Sequence, residues 1–213
     1  MKSVLISIQP KWCELIASGK KTVEVRKTKP KLEPQFKCYI YCTKGKEKLW
    51  VLRGSERAFT REKIAAICQA KDVGGAYQGN GKVIGEFVCD DVTRIINFIT
   101  HFGVEGRPES ELNTIARASC LDYMDMLGYL GTEKDGYAWH ISDLVIYDKP
   151  KELSEFYQEG KNGEKFYYDY CAGCPHHETP VGDDPCNGCD GNRNYFYRPP
   201  QSWCYVAEGG GAE

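Results

Sequence analysis

The chain has 213 residues, 41% of them hydrophobic, with 28 lysines and arginines against 30 aspartates and glutamates. That length allows one domain or one domain with an added element, and the hydrophobic share excludes a disordered or collagen-like chain. No apolar run approaches the ~20 residues that span a bilayer, and the apolar run at 4–6 is too short for a secretion signal. We therefore expect a cytoplasmic protein that has no membrane partner.

Strands and short helices alternate along the first half of the chain. Residues 3–8 predict a strand, and Pro10 begins a helix with one apolar face that ends at Gly19. Further strands are predicted at 22–27, 37–42, 48–52 and 82–92, with a short helix at 60–69 and a glycine-rich loop at 74–81. Gly85, inside its strand, indicates a bulge or a barrel corner.

The second half begins with a predicted helix at 109–129 and a long strand at 137–147, after which KPKEL at 149–153 breaks away. From 157 to 196 the composition shifts to glycine, aspartate, asparagine and tyrosine, and 198–206 again predicts a strand. Many short strands with a few interspersed helices favour an α+β fold, specifically a small mixed β-barrel with flanking helices.

Charge is unevenly distributed along the sequence. Residues 1–63 contain 16 lysines and arginines but only 6 acidic residues, a net charge of +10, whereas the remainder carries −12. A basic first third favours an anionic partner such as nucleic acid on one face. The alternative is a segregation along the sequence that cancels once the chain folds.

A conspicuous motif lies in Gly19–Arg26, whose sequence GKKTVEVR follows the pattern G-x-K-x-x-E-x-R. Alternation in a strand places Val23 and Val25 on the core side and Glu24 and Arg26 together on the opposite face. The two charged residues are then roughly 7 Å apart between Cα atoms, close enough for their side chains to pair.

Two interpretations of this charged face stay open. In the first, Glu24 and Arg26 form an ordinary ion pair on a solvated strand. In the second, they bind an anionic ligand together with Lys21, which enters from the corner between helix and strand, and with Lys20 beside it. Arginine then offers a planar fork for a phosphate or a base edge, and lysine offers a point charge.

The motif resembles the signature of the ASCH family, whose fold is similar to the PUA RNA-binding barrel. Three later segments resemble strands of its bacterial and phage members: GKVIGEFVCDDV at 81–92, YAWHISDLVIYDKPKEL at 137–153 and RPPQSWCYV at 198–206. The resemblance implies a PUA-like barrel with a cleft beside the first helix. It also implies that the cleft binds RNA or a modified nucleotide through Lys20, Lys21, Glu24 and Arg26.

The resemblance leaves an enzyme as the alternative. One branch of the family hydrolyses N4-acetylcytidine with a threonine nucleophile at the position that Glu24 occupies here. A carboxylate cannot replace a hydroxyl nucleophile without changing the intermediate, and Thr22 is a displaced substitute. Another branch is described as metal-dependent ribonucleases, for which the sequence shows no carboxylate cluster. The alternative is thus a hydrolase of nucleosides or RNA with Lys21, Glu24 and Thr22 as catalytic candidates.

Other polar and aromatic residues have two interpretations each. His140 can titrate near neutral pH or be structural, and Glu86, mid-strand beside Gly85, is either a paired structural carboxylate or a cleft residue. Three aromatic residues can stack on a base or fill the core, namely Trp50, Trp203 and Tyr205.

Four of the eleven cysteines are clustered in two C-x-x-C pairs separated by eleven residues. An odd count without a secretion signal argues against a disulfide scaffold, whereas this spacing is typical of a closed tetrahedral zinc site. The sequence therefore predicts one structural Zn²⁺ held by Cys171, Cys174, Cys186 and Cys189.

The zinc prediction leaves several alternatives open. Free thiols and an iron–sulfur cluster are the competing interpretations, and His176 or His177 can replace one cysteine ligand. Residues 171–198 carry a formal charge of −2, which disfavours phosphate binding and favours capping of the barrel or contact with a protein partner. The predicted organisation is an ASCH/PUA-like barrel at 1–156, a zinc-ribbon-like insertion at 157–197 and a final barrel strand at 198–206.

Overall fold

The computed structural model describes residues 3–54, 57–60, 75–98, 101–104, 110–131, 134–159, 193–195 and 198–208. Within these ranges the chain forms an α+β fold of three β-sheets and three α-helices. None of the helices in these ranges has the length and apolar character needed to cross a membrane.

The largest sheet has seven strands: β1 (Ser3–Ile8), β3 (Phe36–Cys42), β7 (Val83–Cys89), β11 (Ser142–Lys151), β12 (Phe156–Glu159), β13 (Arg193–Tyr195) and β14 (Trp203–Glu208). Their order across the sheet is β11-β7-β3-β1-β14-β12-β13. Strand β1 lies in the middle, parallel to β3 and antiparallel to β14, and all six of its residues are buried.

The two smaller sheets are wholly antiparallel. The four-stranded sheet has the order β2-β10-β8-β9, with β2 (Val23–Arg26), β10 (Gly136–His140), β8 (Val92–Phe98) and β9 (His101–Val104). The three-stranded sheet has the order β5-β4-β6, with β4 (Leu49–Leu52), β5 (Arg57–Thr60) and β6 (Ala76–Gln78).

Three helices cover these sheets: α1 (Pro10–Ala17), α2 (Ser110–Ser119) and α3 (Tyr123–Leu130), with one 3-10 turn at Leu153–Glu155. Helix α1 packs over the main hydrophobic cluster, which it shares with β1, β3 and β7. Helices α2 and α3 cover the outer face of the four-stranded sheet and form a second cluster with Val23 and Val25.

The predicted closed barrel is not what the structure shows, because the described strands form three separate sheets. The predicted strand at 137–147 is in fact two strands, β10 and β11, which belong to different sheets. The change occurs at Ile141, whose N–H donates to the Thr22 carbonyl, and opposite it β7 gives way to β8 at Asp90 and Asp91. The pair β7 and β11 belongs to the seven-stranded sheet, and the pair β8 and β10 belongs to the four-stranded sheet. Both chain segments therefore pass from one sheet to the other at the same level.

Two further predictions differ from the structure. The helix expected at 109–129 is interrupted at Cys120, which has a φ of 55°, so that α2 and α3 are separate. The glycine-rich segment at 74–81 contributes a short strand, β6. The helix predicted at 60–69 begins at the last residue of β5 and otherwise lies outside the described residues.

Candidate functional site

The C-terminal cap of α1 places Lys21 at the site. Gly19 has a φ of 71° and its N–H donates to the Ile16 carbonyl, while the Lys20 N–H donates to Leu15. These two bonds form a Schellman motif, in which a residue without a Cβ adopts the left-handed conformation at no steric cost. The chain therefore reverses sharply, and the side chain of Lys21 turns inward with only 3% of the residue exposed.

Strand β2 presents its charged face to the space between the two larger sheets. Val23 and Val25 pack against α2 and α3, as predicted, and Glu24 lies opposite Trp139 in the register of β2 and β10. Because directly opposed residues share a face, Glu24 and the fully buried Trp139 both face the main cluster.

Lys21, Glu24 and Arg26 form a continuous buried ionic cluster. Lys21 Nζ lies 3.2 Å from Glu24 Oε2, and Arg26 Nη2 lies 2.9 Å from Glu24 Oε1. All three residues are at most 7% exposed. One carboxylate between two cations leaves a formal charge of +1 in a largely desolvated place, where an incoming anion is attracted more strongly than at the surface.

Backbone groups and serines hold the two cations in position. Lys21 Nζ donates to the Ser119 carbonyl at 2.7 Å, at the C-terminal end of α2, where the helix dipole favours a cation. Arg26 Nη2 donates to the Ser7 carbonyl at 2.8 Å, and Nη1 donates to Ser202 Oγ at 3.3 Å. Arg26 therefore connects β2 to β1 and to the segment that precedes β14.

Three buried polar atoms of the described residues have no hydrogen-bond partner in the protein: Glu24 Oε2, Arg26 Nε and Trp139 Nε1. Glu24 Oε2 faces Lys21 Nζ across the ion pair but lacks the geometry of a hydrogen bond. Since buried polar groups are generally satisfied, one free acceptor and two free donors around the same strand pair indicate a ligand or ordered water at this position.

Aromatic rings lie at the edge of the cluster. The Trp12 ring lies beneath two ammonium groups, with Lys11 Nζ 4.7 Å and Lys21 Nζ 5.1 Å from its centroid. Tyr129, on α3, is 37% exposed. Burial raises the pKa of the Tyr129 hydroxyl, the positive charge of Arg26 lowers it, and the negative charge of Glu24 raises it, which places this hydroxyl in the field of the cluster.

The sequence model of the ASCH domain matches residues 6–156, which include the ionic cluster and most of the described strands. The chain belongs to the ASCH domain family. No curated protein sequence matches the chain.

Solved structures similar to this ASCH chain include an ASCH protein from Zymomonas mobilis, at 18% identity and a TM-score of 0.43, covering 71% of this chain and 73% of that one. A tyrosine-to-phenylalanine mutant of that protein gives 18% identity and a TM-score of 0.42, covering 72% and 77% of the two chains. A serine-to-alanine mutant gives 18% identity and a TM-score of 0.43, covering 71% of this chain and 74% of that one.

The other predicted site residues of the ASCH domain lie outside the buried cluster. Lys20 and Thr22 are exposed, next to the cluster in sequence but not part of it. His140 is exposed and its Nδ1 lies 2.5 Å from Asp90 Oδ1, and the hydrogen bond from His140 lowers the pKa of Asp90.

Glu86 is a paired carboxylate on β7, away from the motif. It accepts from Lys37 Nζ at 2.8 Å and from the Tyr147 hydroxyl. Burial by itself raises the pKa of Glu86, but the bonds from Lys37 and Tyr147 outweigh that effect, and the pKa lies below its ordinary value of 4.5. Of the two interpretations of Glu86, the structure thus supports that of a paired structural carboxylate.

The four clustered cysteines and the two histidines beside them lie outside the described residues. Within the described ranges, no group of three or more histidine, cysteine or acidic side chains is arranged to hold a metal ion.

Two contacts at the edge of the ionic cluster were not found by sequence reasoning. The proximity of Tyr129 to Arg26 depends on the break between α2 and α3, which nothing in the predicted helix at 109–129 marks. Trp12 left no clear signal either, because it lies in the first turn of α1, nine positions before Lys21, and only the path of the chain after the helix brings the two together.

Proposed function

We propose that this ASCH domain binds RNA or a modified nucleotide in a cleft formed by Lys21, Glu24 and Arg26, beside α1. One observation carries the proposal: a buried cluster of net positive charge retains one unused acceptor and one unused donor, and Trp139 on the neighbouring strand adds a second unused donor. A nucleotide supplies both a negative phosphate and a base edge with donors and acceptors, which match these two properties.

Binding is better supported than hydrolysis. The ammonium group of Lys21 is occupied by the Ser119 carbonyl and by Glu24, so it is not placed as a free base. Thr22, the displaced candidate nucleophile, is exposed and lies outside β2. A nucleophile requires a base within hydrogen-bond reach, and the cluster offers Thr22 none.

A second element of the proposal is structural zinc. We expect the thiolates of Cys171, Cys174, Cys186 and Cys189 to bind Zn²⁺ with a closed ligand set, which leaves no open position for catalysis. The spacing of the two C-x-x-C pairs supports this expectation. With its acidic surroundings, such an element is better suited to a protein partner than to RNA.

Binding is tested by calorimetry at low salt, with nucleoside monophosphates and short single-stranded RNAs as ligands. The substitution Lys21→Met keeps the length of the side chain but removes a buried charge, so we expect affinity to fall about 10- to 100-fold, as for a charge-assisted hydrogen bond. Lys82→Met is the matched control, because Lys82 pairs with Glu152 at a partly exposed position outside the cluster.

Each result has a defined meaning. Thermal melts first establish that both variants are folded. If the unaltered protein binds neither nucleotides nor RNA, the proposed function is wrong. If folded Lys21→Met binds as tightly as Lys82→Met, the ligand is bound elsewhere than in the cluster.

A further inference from the structure

A basic segment follows the ionic cluster in the sequence, immediately after Arg26. Residues 27–31, called here the lysine segment, place Lys27, Lys29 and Lys31 at every second position, and all three are exposed. In the described part of the chain, no carboxylate forms an ion pair with any of them. Their charges are therefore available to an anionic partner.

Aromatic residues line one side of the lysine segment. Lys27 Nζ lies 5.4 Å from the centroid of Tyr129, the ring at the edge of the cleft, and Lys29 Nζ lies 5.8 Å from that of Tyr137. Tyr137 is opposite Arg26 in the register of β2 and β10. The two rings and two ammonium groups thus continue directly from the ionic cluster.

Two further aromatic residues contact the lysine segment. Trp203 Nε1 donates to Thr28 Oγ1 at 3.0 Å, and the Lys31 N–H donates to the Tyr205 hydroxyl at 2.6 Å. The rings of Trp203 and Tyr205 contact each other with centroids 5.5 Å apart, and both residues are partly exposed. The lysine segment is thereby fixed to β14 through its backbone and Thr28, while its three lysines stay exposed and two of them keep their ammonium groups over tyrosine rings.

We propose that the lysine segment, with the four aromatic residues beside it, binds the single-stranded RNA chain that continues from a nucleotide held in the cleft. This inference rests on the proposed function and specifies its ligand as a chain, not a free mononucleotide. The three lysines contact successive phosphates, and bases stack on the partly exposed rings, which are Tyr129, Tyr137, Trp203 and Tyr205.

The lysines and aromatic rings together favour single-stranded RNA over the other anionic ligands. A duplex hides the faces of its bases, so it can use the lysines but not the rings, whereas a single strand can use both. An acidic protein segment likewise uses only the charge. A single strand is therefore the ligand that accounts for both features of the surface.

The test compares two triple variants with equal loss of charge. Lys27→Ala, Lys29→Ala and Lys31→Ala are combined in one protein, and Lys44→Ala, Lys46→Ala and Lys48→Ala in the control, since those three lysines are also exposed and lie in the connection from β3 to β4. Affinities for a uridine monophosphate and for uridine oligonucleotides of two to eight nucleotides are measured at several salt concentrations.

In the unaltered protein and the control, affinity should rise with oligonucleotide length and fall steeply with salt. In the lysine-segment variant, the slope of log affinity against log salt should decrease by about 2, roughly 0.7 for each single-strand phosphate that a lysine no longer neutralises. Affinity for the mononucleotide should stay within about twofold. Tyr129→Leu should weaken binding of the oligonucleotides about tenfold or more, as removal of one stacking ring does.

Other results overturn the inference and are separable from failure of the proposed function. If both triple variants show equal slopes while mononucleotide binding persists, the lysine segment does not bind the chain and the cleft proposal stands. If duplex RNA or a polyglutamate peptide binds the lysine segment as tightly as the single strand, the partner class is wrong. If the unaltered protein binds neither mononucleotide nor oligonucleotide, the proposed function fails first.

Discussion

Arg26 is a motif residue with a structural role, in addition to the binding role proposed for it. Two of its nitrogens bind Glu24, the Ser7 carbonyl and Ser202, and these contacts join the four-stranded sheet to the seven-stranded sheet. Among the described residues, its Nε has no partner. Removing one partner of a buried ion pair is expensive, so substitutions of Arg26 and of Lys21 both affect folding as well as binding, and each variant has to be shown to be folded before its affinity is compared.

Glu86 predicts a pH-dependent contribution to stability. Its pKa is lower in the folded state than its ordinary 4.5, so its contribution is present above that pH and is lost as the pH falls through the folded pKa. The free energy of unfolding of Glu86→Gln should therefore lie furthest below that of the unaltered protein near neutral pH. The difference should shrink below about pH 4.5 in urea titrations at a series of pH values.

Tyr147→Phe is the companion variant for Glu86, because it keeps the ring and removes one donor to the carboxylate. In protein that carries Tyr147→Phe, the effect of Glu86→Gln on the free energy of unfolding should depend less on pH. A difference between the unaltered protein and Glu86→Gln that stays constant from pH 7 to pH 3 would contradict the prediction.

At the scale of residues, the sequence predicted which side chains share a face of β2, but not which groups hydrogen-bond to Lys21 and Arg26. Alternation in a strand correctly separated Val23 and Val25 from Glu24 and Arg26, since it depends only on neighbouring residues. It could not find that Ser7, Ser119 and Ser202 satisfy the two cations. These contacts join residues up to 176 positions apart, and two of the three use backbone carbonyls, which leave no trace in the residue type.

At the scale of elements, Gly85 decides how closely β7 and β11 can approach. A Cβ at this position would lie 2.3 Å from the Val145 carbonyl oxygen, which belongs to the backbone and cannot move aside. The register of β3 and β7 is also irregular here, since Ile40 pairs with Gly85 and Tyr41 with Val83. This confirms the bulge expected from a glycine inside a strand.

Gly85→Ala should lower the free energy of unfolding by about 1–3 kcal/mol, because the added methyl group overpacks the contact with β11. Gly128→Ala is the matched control on α3, where a Cβ meets no atom within 4 Å. The same change there should raise the free energy of unfolding by about 0.5–1 kcal/mol through helix propensity. Urea titrations of both variants check the opposite signs, and equal effects would contradict the account of Gly85.

The elements that were mispredicted share one cause. The alternation in 137–147 runs through Ile141 without interruption, and only the position of Thr22 across the sheet shows that the chain changes sheets there. Likewise, the break at Cys120 is set by α2 and α3 packing separately against β2 and β8, and cysteine is no helix terminator by itself. Local patterns predict an element, while tertiary contacts decide where it is divided.

At the scale of the whole molecule, the basic first third of the sequence contains the residues proposed to bind the ligand. The lysine segment lies in the basic first third, as do Lys21 and Arg26 of the cleft. The acidic remainder includes the cysteine-rich stretch. If the ionic cluster binds RNA as proposed, the positive charge of this part of the chain also attracts the ligand as it approaches.

The predicted zinc site in the cysteine-rich stretch is tested by metal analysis. Protein purified without chelator should contain about one zinc per chain by elemental analysis, as a four-thiolate site requires. Cys174→Ser should lose the metal, because a closed tetrahedral site does not tolerate a missing thiolate. Cys120→Ser should retain it, since that partly exposed cysteine belongs to neither C-x-x-C pair and its Sγ contacts the Lys20 carbonyl. Metal-free, folded protein would contradict the prediction.

The pairing of β1 with β14 has a consequence for synthesis on the ribosome. Ser3 pairs with Val206, so one edge of the central strand lacks its partner until about 200 further residues are translated. At about 5–20 residues per second, that edge stays open for roughly ten to forty seconds. An unpaired strand edge of this length invites pairing with other nascent chains, and the cell's chaperones are what can cover it during that interval. Completion of the central sheet is therefore a late event, which follows synthesis of nearly everything else the structure describes.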